Sequence, residues 1–205
     1  GPVSDHSPYY LAQMSNLLGP VASVSAAATR PFPLRTMHNP VRAGETFATE
    51  VDTTVAGVLT FANGALVSLG ISWDLGPHGR APIEVYGSLG SLANPDPNWS
   101  DGTVTLRTSD GARALDHSSR LFHKPTMINF FGAEVGYYRL CGLADMADAI
   151  AQDRPHRASA EMALHIMETI EAIRVSSETG ERIALSTTCE RPAPIANDIA
   201  GAADI

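Results

Sequence analysis

Lysine is nearly missing from this 205-residue chain, with Lys124 the only one. A reaction that needs an amine base or a Schiff base therefore has a single candidate. Basic residues are outnumbered overall, 14 Lys and Arg against 22 Asp and Glu, and the formal net charge is -8. A surface of that sign repels a phosphate backbone, so nucleic acid is not an expected partner. Cysteine is scarce too. Cys141 and Cys189 form no metal or redox spacing and suit a reducing, cytoplasmic setting. No basic cluster followed by an apolar block opens the chain, so no secretory signal is expected. Neither a P-loop nor a G-x-S-x-G elbow is present.

The stretch without charge from Thr53 to Trp73 has the length of a membrane span. At its centre stands Asn63-Gly64, a strong hairpin signal flanked by alternating patterns, and Asp52 to Asp74 reads as a β-hairpin. A two-residue turn sets Phe61 opposite Leu66, Leu59 opposite Ser68, Val58 opposite Leu69 and Ala56 opposite Ile71. Both faces then carry apolar groups. Helices can cover one of them; for the other a second subunit is expected, although enclosure within the chain's own domain fits the sequence equally.

At the N-terminus, Ser7 suits a helix N-cap, Pro8 the first helical position and Gly19-Pro20 a stop. Leu11, Met14, Leu17 and Leu18 repeat at helical spacing between them. Asp5 and His6 then lie just before the helix and Tyr9 in its first turn. Val21 to Thr29 reads as a strand, followed by a connection through Pro31, Pro33 and Pro40. Further strands are read at Ile83 to Tyr86, Thr103 to Arg107 and Ala112 to Leu115, the last two joined at Asp110-Gly111. Asp116 to Gly136 has no clean period and reads as a long loop.

Two helices follow. Leu140, Leu143, Ala147 and Ile150 mark the core stripe of the first, and Met162, Ile166, Ile170 and Ile173 that of the second. Ile183 to Ser186 is read as a last strand, and the tail from Pro192 onward is expected to lie loose or wrap a neighbour. Strands followed by helices indicate an α+β domain. Its sheet is open and largely antiparallel, with helices on one face and the other face expected at an oligomer interface. The length suits a single domain over 1-205.

The glycine run Gly87-Ser88-Leu89-Gly90-Ser91-Leu92 lacks the G-x-G-x-x-G spacing. Asn94-Pro95-Asp96-Pro97 follows it and cannot open a helix to hold a pyrophosphate, so the run reads as a tight turn. His117 and His123 share the long loop with Asp116, but the spacing supports no metal site. His165 reads as a packed or exposed helix residue.

The order Gly1-Pro2-x-x-Asp5-x-x-Pro8-Tyr9-Tyr10-Leu11, then Leu17-Leu18-Gly19-Pro20-Val21, resembles the start of the C-terminal domain of the glucose-fructose oxidoreductase and inositol dehydrogenase family, often called Gfo/Idh/MocA. Phe61-Ala62-Asn63-Gly64-Ala65, Tyr86 to Leu92, and Gly142-Leu143-Ala144-Asp145-Met146 through Arg154-Pro155 are similar to that domain's later landmarks. The resemblance implies the second domain of an NAD(P)-dependent oxidoreductase. The Rossmann domain that holds NAD or NADP, with its Glu-Lys-Pro lysine, is expected elsewhere than in these residues. His123-Lys124-Pro125 imitates that motif only superficially.

Carried over by position, Asp5 matches the family's acidic residue and Tyr9 the place where many members have His and others Tyr. Ser7 departs from the usual Gly. The resemblance implies that Tyr9 and Asp5 are catalytic, relaying a hydroxyl proton while hydride passes to or from the nicotinamide. His6, His117, Arg120, His123 and Lys124 are candidate contacts to a sugar- or polyol-type substrate. A phenol with an ordinary pKa of about 10 needs a nearby cation to work near neutrality, so the chain alone is expected to be inactive. The alternative is a non-enzymatic dimerisation or ligand-binding module of the same fold. A metal-dependent hydrolase using Asp5, His6 and a loop histidine is disfavoured by ligand spacing.

Overall fold

The computed structural model describes residues 1–99, 102–120, 122–129 and 132–195. In chain order the elements are α1 (Pro2–Leu18), β1 (Val21–Thr29), β2 (Leu34–Thr36), β3 (Thr46–Ala48), β4 (Thr54–Phe61), β5 (Leu66–Ser72), β6 (Ile83–Gly87), β7 (Gly90–Asn94), β8 (Thr105–Thr108), β9 (Gly111–Ala114), β10 (Met127–Ile128), β11 (Glu134–Val135), α2 (Cys141–Gln152), α3 (Ala160–Thr179) and β12 (Ile183–Ala184). All strand pairs are antiparallel. The fold is α+β, as expected. The chain forms two compact units, one from Gly1–His78 with Ala160–Arg191, the other from Gly79–Ser159 with the described residues from Pro192 on.

The first unit is built on a sheet of order β12-β1-β4-β5, covered on one face by α1 and α3. Leu11 and Met14 of α1 and Met162, Ile166, Ile170 and Ile173 of α3 meet Val24, Val55, Leu59, Phe61 and Leu69 of the sheet. The α3 stripe is the expected one. The hairpin register is not. Phe61 pairs with Ala65 across a three-residue loop, Gly64 takes φ +90, and Asn63 Oδ1 accepts the Ala65 N–H at 3.0 Å. A type I turn closed by a left-handed glycine produces this loop. Leu59 therefore faces Val67 and Gly57 faces Leu69, which reverses the inward set of β5. Val67, Leu69 and Ile71 lie inward, while Leu66, Ser68 and Gly70 are exposed with Ala56 and Val58. Only one face is continuously apolar.

The start of α1 also differs from expectation. Gly1 is the N-cap and Pro2 occupies the first turn, so Ser7 and Pro8 lie inside the helix. A proline at N1 is already preorganised for helix, and Asp5 adds a favourable charge to the first turn. Pro8 deletes one rung, the bond from position 8 to the Ser4 carbonyl. Ser7 is buried, and its Oγ has no hydrogen-bond partner among the described residues. It packs rather than caps.

A chain of polar groups that starts at buried His165 ties α3 to β1 and to the segment after β12. His165 is fully buried, and its Nε2 accepts the Val21 N–H at 2.9 Å. The ring proton therefore sits on Nδ1 and is donated to Thr187 Oγ1 at 2.9 Å. The Thr187 hydroxyl donates a hydrogen bond to Glu168, whose carboxylate also accepts the N–H groups of Ser186 and Thr187 at 2.8 Å. Burial lowers the His165 pKa, against the pull of Glu168. Burial also pushes the Glu168 carboxyl up, but the Ser186 and Thr187 hydrogen bonds outweigh it and bring it down to about 2.

The second unit holds a meander of order β6-β7-β8-β9, the β10-β11 ribbon and α2. Gly87 to Leu92 contains the expected turn at Ser88-Leu89 and then continues as β7. The turn before β9 is Ser109-Asp110, with Gly111 as the first strand residue. The Pro-rich connection and the long loop contain strands that composition does not reveal, β2 in the first and the β10-β11 ribbon in the second. In α2 the expected stripe is outward. Leu140, Leu143, Ala147 and Ile150 are exposed, and Asp145 and Ala149 are buried.

Ion pairing explains that rotation. Asp145 accepts from Arg154 at 3.0 Å, from the Arg157 side chain and from the Arg157 N–H at 2.8 Å. Burial opposes its ionisation, but these bonds prevail and its pKa is lowered. A buried carboxylate with two guanidinium partners sets the helix orientation against its apolar stripe. Arg157 continues to the carbonyls of Ala193 and Pro194 at 2.9 and 3.0 Å. The rest of the tail, 196–205, lies outside the described residues.

Two outcomes follow for stability. Ser7→Ala is expected to leave stability unchanged or raise it by about 1 kcal/mol, because it removes an unsatisfied buried hydroxyl; a loss of about 1 kcal/mol in denaturant titration would restore the capping role. For Glu168, the unfolded chain takes up a proton near 4.5 and the folded chain near 2. Its stabilisation is thus complete above about 4.5 and is lost as pH falls from there to about 2. Glu168→Gln should lower Tm at neutral pH and flatten the fall in Tm across that acid window; an unchanged slope would show that this carboxylate does not govern acid unfolding.

Candidate functional site

In the first unit α1 begins beside the exit of β5. Asp5 and His6 sit in the early turns of α1, with 68% and 40% of their side chains exposed. Tyr9 is 36% exposed. Residues three and four apart share a helix side, so Tyr9 lies one turn along from both. Asp5 Oδ2 and His6 Nδ1 are 3.5 Å apart. Trp73, the residue after β5, donates its indole N–H to His6 Nδ1 at 3.2 Å. The two rings meet edge to face, 5.8 Å between centroids at 85°.

Beside Trp73, Asp74 is held by four side chains. Its carboxylate accepts from the hydroxyls of Thr53 and Thr54 and from Arg35, and its N–H donates to Ser72 Oγ at 3.0 Å. Burial raises the Asp74 pKa, but the two threonines and Arg35 outweigh it and leave it below the usual carboxylate value. The clamp fixes the backbone that carries Trp73. Neither Trp73 nor Asp74 was legible as a site residue. Both close a strand pattern whose alternation reports burial, and alternation does not say that the strand ends against α1.

The loop candidates belong to the second unit. The Arg120 N–H donates to the His117 carbonyl at 2.8 Å. His117 Nδ1 lies 3.4 Å from the Leu115 carbonyl, and His123 Nδ1 contacts the Arg120 carbonyl. The Lys124 carbonyl accepts from the Tyr138 hydroxyl at 2.6 Å. His117, Arg120 and His123 are thus gathered in successive turns, and Lys124 is pinned through its backbone. These four belong to the second unit, and Asp5, His6 and Tyr9 to the first.

No cradle for a dinucleotide appears among the described residues. The glycine run closes a β-hairpin, Gly87 pairing with Gly90, and no helix follows it to receive a pyrophosphate. Nor do three His, Cys, Asp or Glu side chains among the described residues form a group able to hold a metal. Among the described residues no helix is long and apolar enough to cross a membrane.

None of the curated proteins matches the sequence. Among solved structures, levoglucosan dehydrogenase in complex with NADH and L-sorbose is 19% identical, with a TM-score of 0.67 over 91% of this chain and 50% of that one. An oxidoreductase from Agrobacterium radiobacter in complex with NAD+, L-tartaric acid and magnesium is 14% identical, with a TM-score of 0.60 over 89% of this chain and 48% of that one. Aldose-aldose oxidoreductase from Caulobacter crescentus, complexed with glycerol, is 16% identical, with a TM-score of 0.60 over 90% and 48%. The chain spans about half the length of these structures, and the likeness is one of fold. Residues 1–185 match the family described as oxidoreductase family, C-terminal alpha/beta domain. The chain belongs to that family, Gfo/Idh/MocA, through its C-terminal domain.

Proposed function

We propose that the chain provides the proton-handling, substrate-facing wall of an NAD(P)-dependent oxidoreductase acting on a CH–OH group of a sugar, polyol or related diol. The observation that carries this reading is the exposed row Asp5, His6 and Tyr9 on the early turns of α1, anchored from β5 by Trp73. Relatives of this fold bound to NADH with L-sorbose and to NAD+ with L-tartaric acid support the substrate class. The redox cofactor is assigned to residues outside these, in keeping with the family's two-domain plan.

Tyr9 is the group proposed to give or take the substrate hydroxyl proton, with Asp5 as its carboxylate partner one helical turn away. His6 is proposed to hold a substrate hydroxyl. The second unit's loop, with His117, Arg120, His123 and Lys124, is a separate candidate for hydroxyl contacts. Its gathered rings and guanidinium support that role.

A second reading, a dimerisation module, is favoured by the open sheet face. The outward strand positions Ser25, Ala27, Ala56, Val58, Leu66, Ser68 and Gly70 are exposed, and none is charged. A solvated sheet face normally carries long polar side chains. A second copy of the sheet is the proposed cover, and this role is compatible with the enzymatic one.

In the natural polypeptide that carries this chain, Tyr9→Phe is expected to lower kcat for NAD(P)-dependent polyol oxidation by about 100-fold or more, while the 205 residues alone show no turnover. Full activity of Tyr9→Phe removes Tyr9 from the chemistry, and turnover by the isolated chain defeats the shared-wall reading. For the sheet face, light scattering over a concentration series should show an oligomer that Val58→Lys weakens at least tenfold. A wild-type chain that stays monomeric throughout would end that role.

A further inference from the structure

Trp73 reaches His6 of the Asp5-His6-Tyr9 row from the end of β5, and its contact is directional. The indole N–H is a donor only, so the His6 Nδ1 that receives it at 3.2 Å presents a lone pair. In a neutral imidazole the proton then belongs to Nε2. Among the described residues no partner engages Nε2. The edge-to-face packing of the two rings, at 85°, holds the imidazole plane. The Asp74 clamp on Thr53, Thr54 and Arg35 fixes the strand end from which the indole projects.

Asp5 acts on the same nitrogen with opposite preference. Its carboxylate oxygen, 3.5 Å from Nδ1, would favour a proton there, which would set two N–H groups against each other at Trp73. The closer and directional indole contact decides the tautomer, because 3.2 Å lies near hydrogen-bond range whereas 3.5 Å to an exposed carboxylate is a loose ion contact.

We infer that Trp73 is a positioning residue, which holds His6 with Nδ1 as acceptor so that Nε2–H is the donor offered to a substrate hydroxyl. The substrate part rests on the proposed oxidoreductase reading; the tautomer part does not. A sugar or polyol hydroxyl oxygen is a suitable acceptor for that N–H, and the same hydroxyl can then pass its own proton elsewhere. Trp73 itself touches His6 and takes no part in proton transfer.

The test joins spectroscopy to kinetics. Ring nitrogen chemical shifts of His6 in the 205-residue chain should show the Nε2–H form predominating in wild type and a mixture of tautomers in Trp73→Phe, which keeps an aromatic ring and removes the N–H. An equal mixture in wild type, or no change in Trp73→Phe, overturns the inference. In the natural polypeptide, Trp73→Phe should lower kcat by about tenfold to a hundredfold, the scale of a misplaced group, with KM changed less. His6→Gln, whose amide reaches the place of Nε2, should keep several-fold more activity than His6→Asn, whose amide reaches that of Nδ1. An altered tautomer with unchanged kcat, or His6→Asn outperforming His6→Gln, refutes the assignment to substrate. Absence of any NAD(P)-dependent polyol turnover would instead fail the oxidoreductase reading, and the ring shifts would still decide whether Trp73 sets the tautomer.

Discussion

The left-handed glycine at Gly64 is a small feature with wide consequence, because it closes the β4–β5 hairpin over three residues. Strand side chains alternate, so one residue more in the loop exchanges the two faces of β5. A two-residue turn would have placed Leu66, Ser68, Gly70 and Ser72 on the side of Phe61, a poor match for the apolar α1 and α3. The observed register puts Val67, Leu69 and Ile71 there instead. Trp73 continues that inward series beyond the strand and so arrives at α1. Core and candidate site are therefore set by the same turn.

Carboxylates in this chain divide by how they are held. Asp74, Asp145 and Glu168 each accept several hydrogen bonds, and their pKa values lie below the ordinary range despite burial. Each one ties distant segments together: Asp74 joins the end of β5 to Thr53 and Arg35, Asp145 the body of α2 to Arg154 and Arg157, and Glu168 α3 to the segment after β12. Losing such a partner strands a buried charge, so these groups are structural. Asp5 is different. It is largely exposed and among the described residues shares only the His6 ring, the condition of a carboxylate still available to a ligand.

Elements with a strong local period were legible in the sequence. The stripe Met162, Ile166, Ile170 and Ile173 matches the buried face of α3, β1 has its expected limits, and the Asn63-Gly64 hairpin exists. Failures came where two local signals competed. Ser7-Pro8 looked like a helix start, yet Gly1-Pro2 supplies an earlier one, and the burial of α1 tolerates the missing rung at Pro8. In α2 the period of Leu140, Leu143 and Ile150 is real, but two arginines beyond the helix claim Asp145 and turn it inward. Such a pairing depends on Asp153 taking φ 53 after the last turn, which no composition rule contains. Candidate residues from the α1 row were found by resemblance, whereas Trp73 and Asp74 needed the register.

On the proposed reading, the row on α1 calls for a second wall. A phenol acts as an acid or base near neutrality only if a cation stabilises its ionised form. Within the first unit the nearest basic side chain in sequence is His6, whose Nδ1 is engaged by the Trp73 N–H. Arg35, the guanidinium beside Trp73, is already committed to Asp74. On the proposed reading, the cation that activates Tyr9 comes from the wall that also brings the cofactor. Proton transfer would then switch on only when both walls meet around a substrate, which couples the acid/base step to the presence of the hydride acceptor.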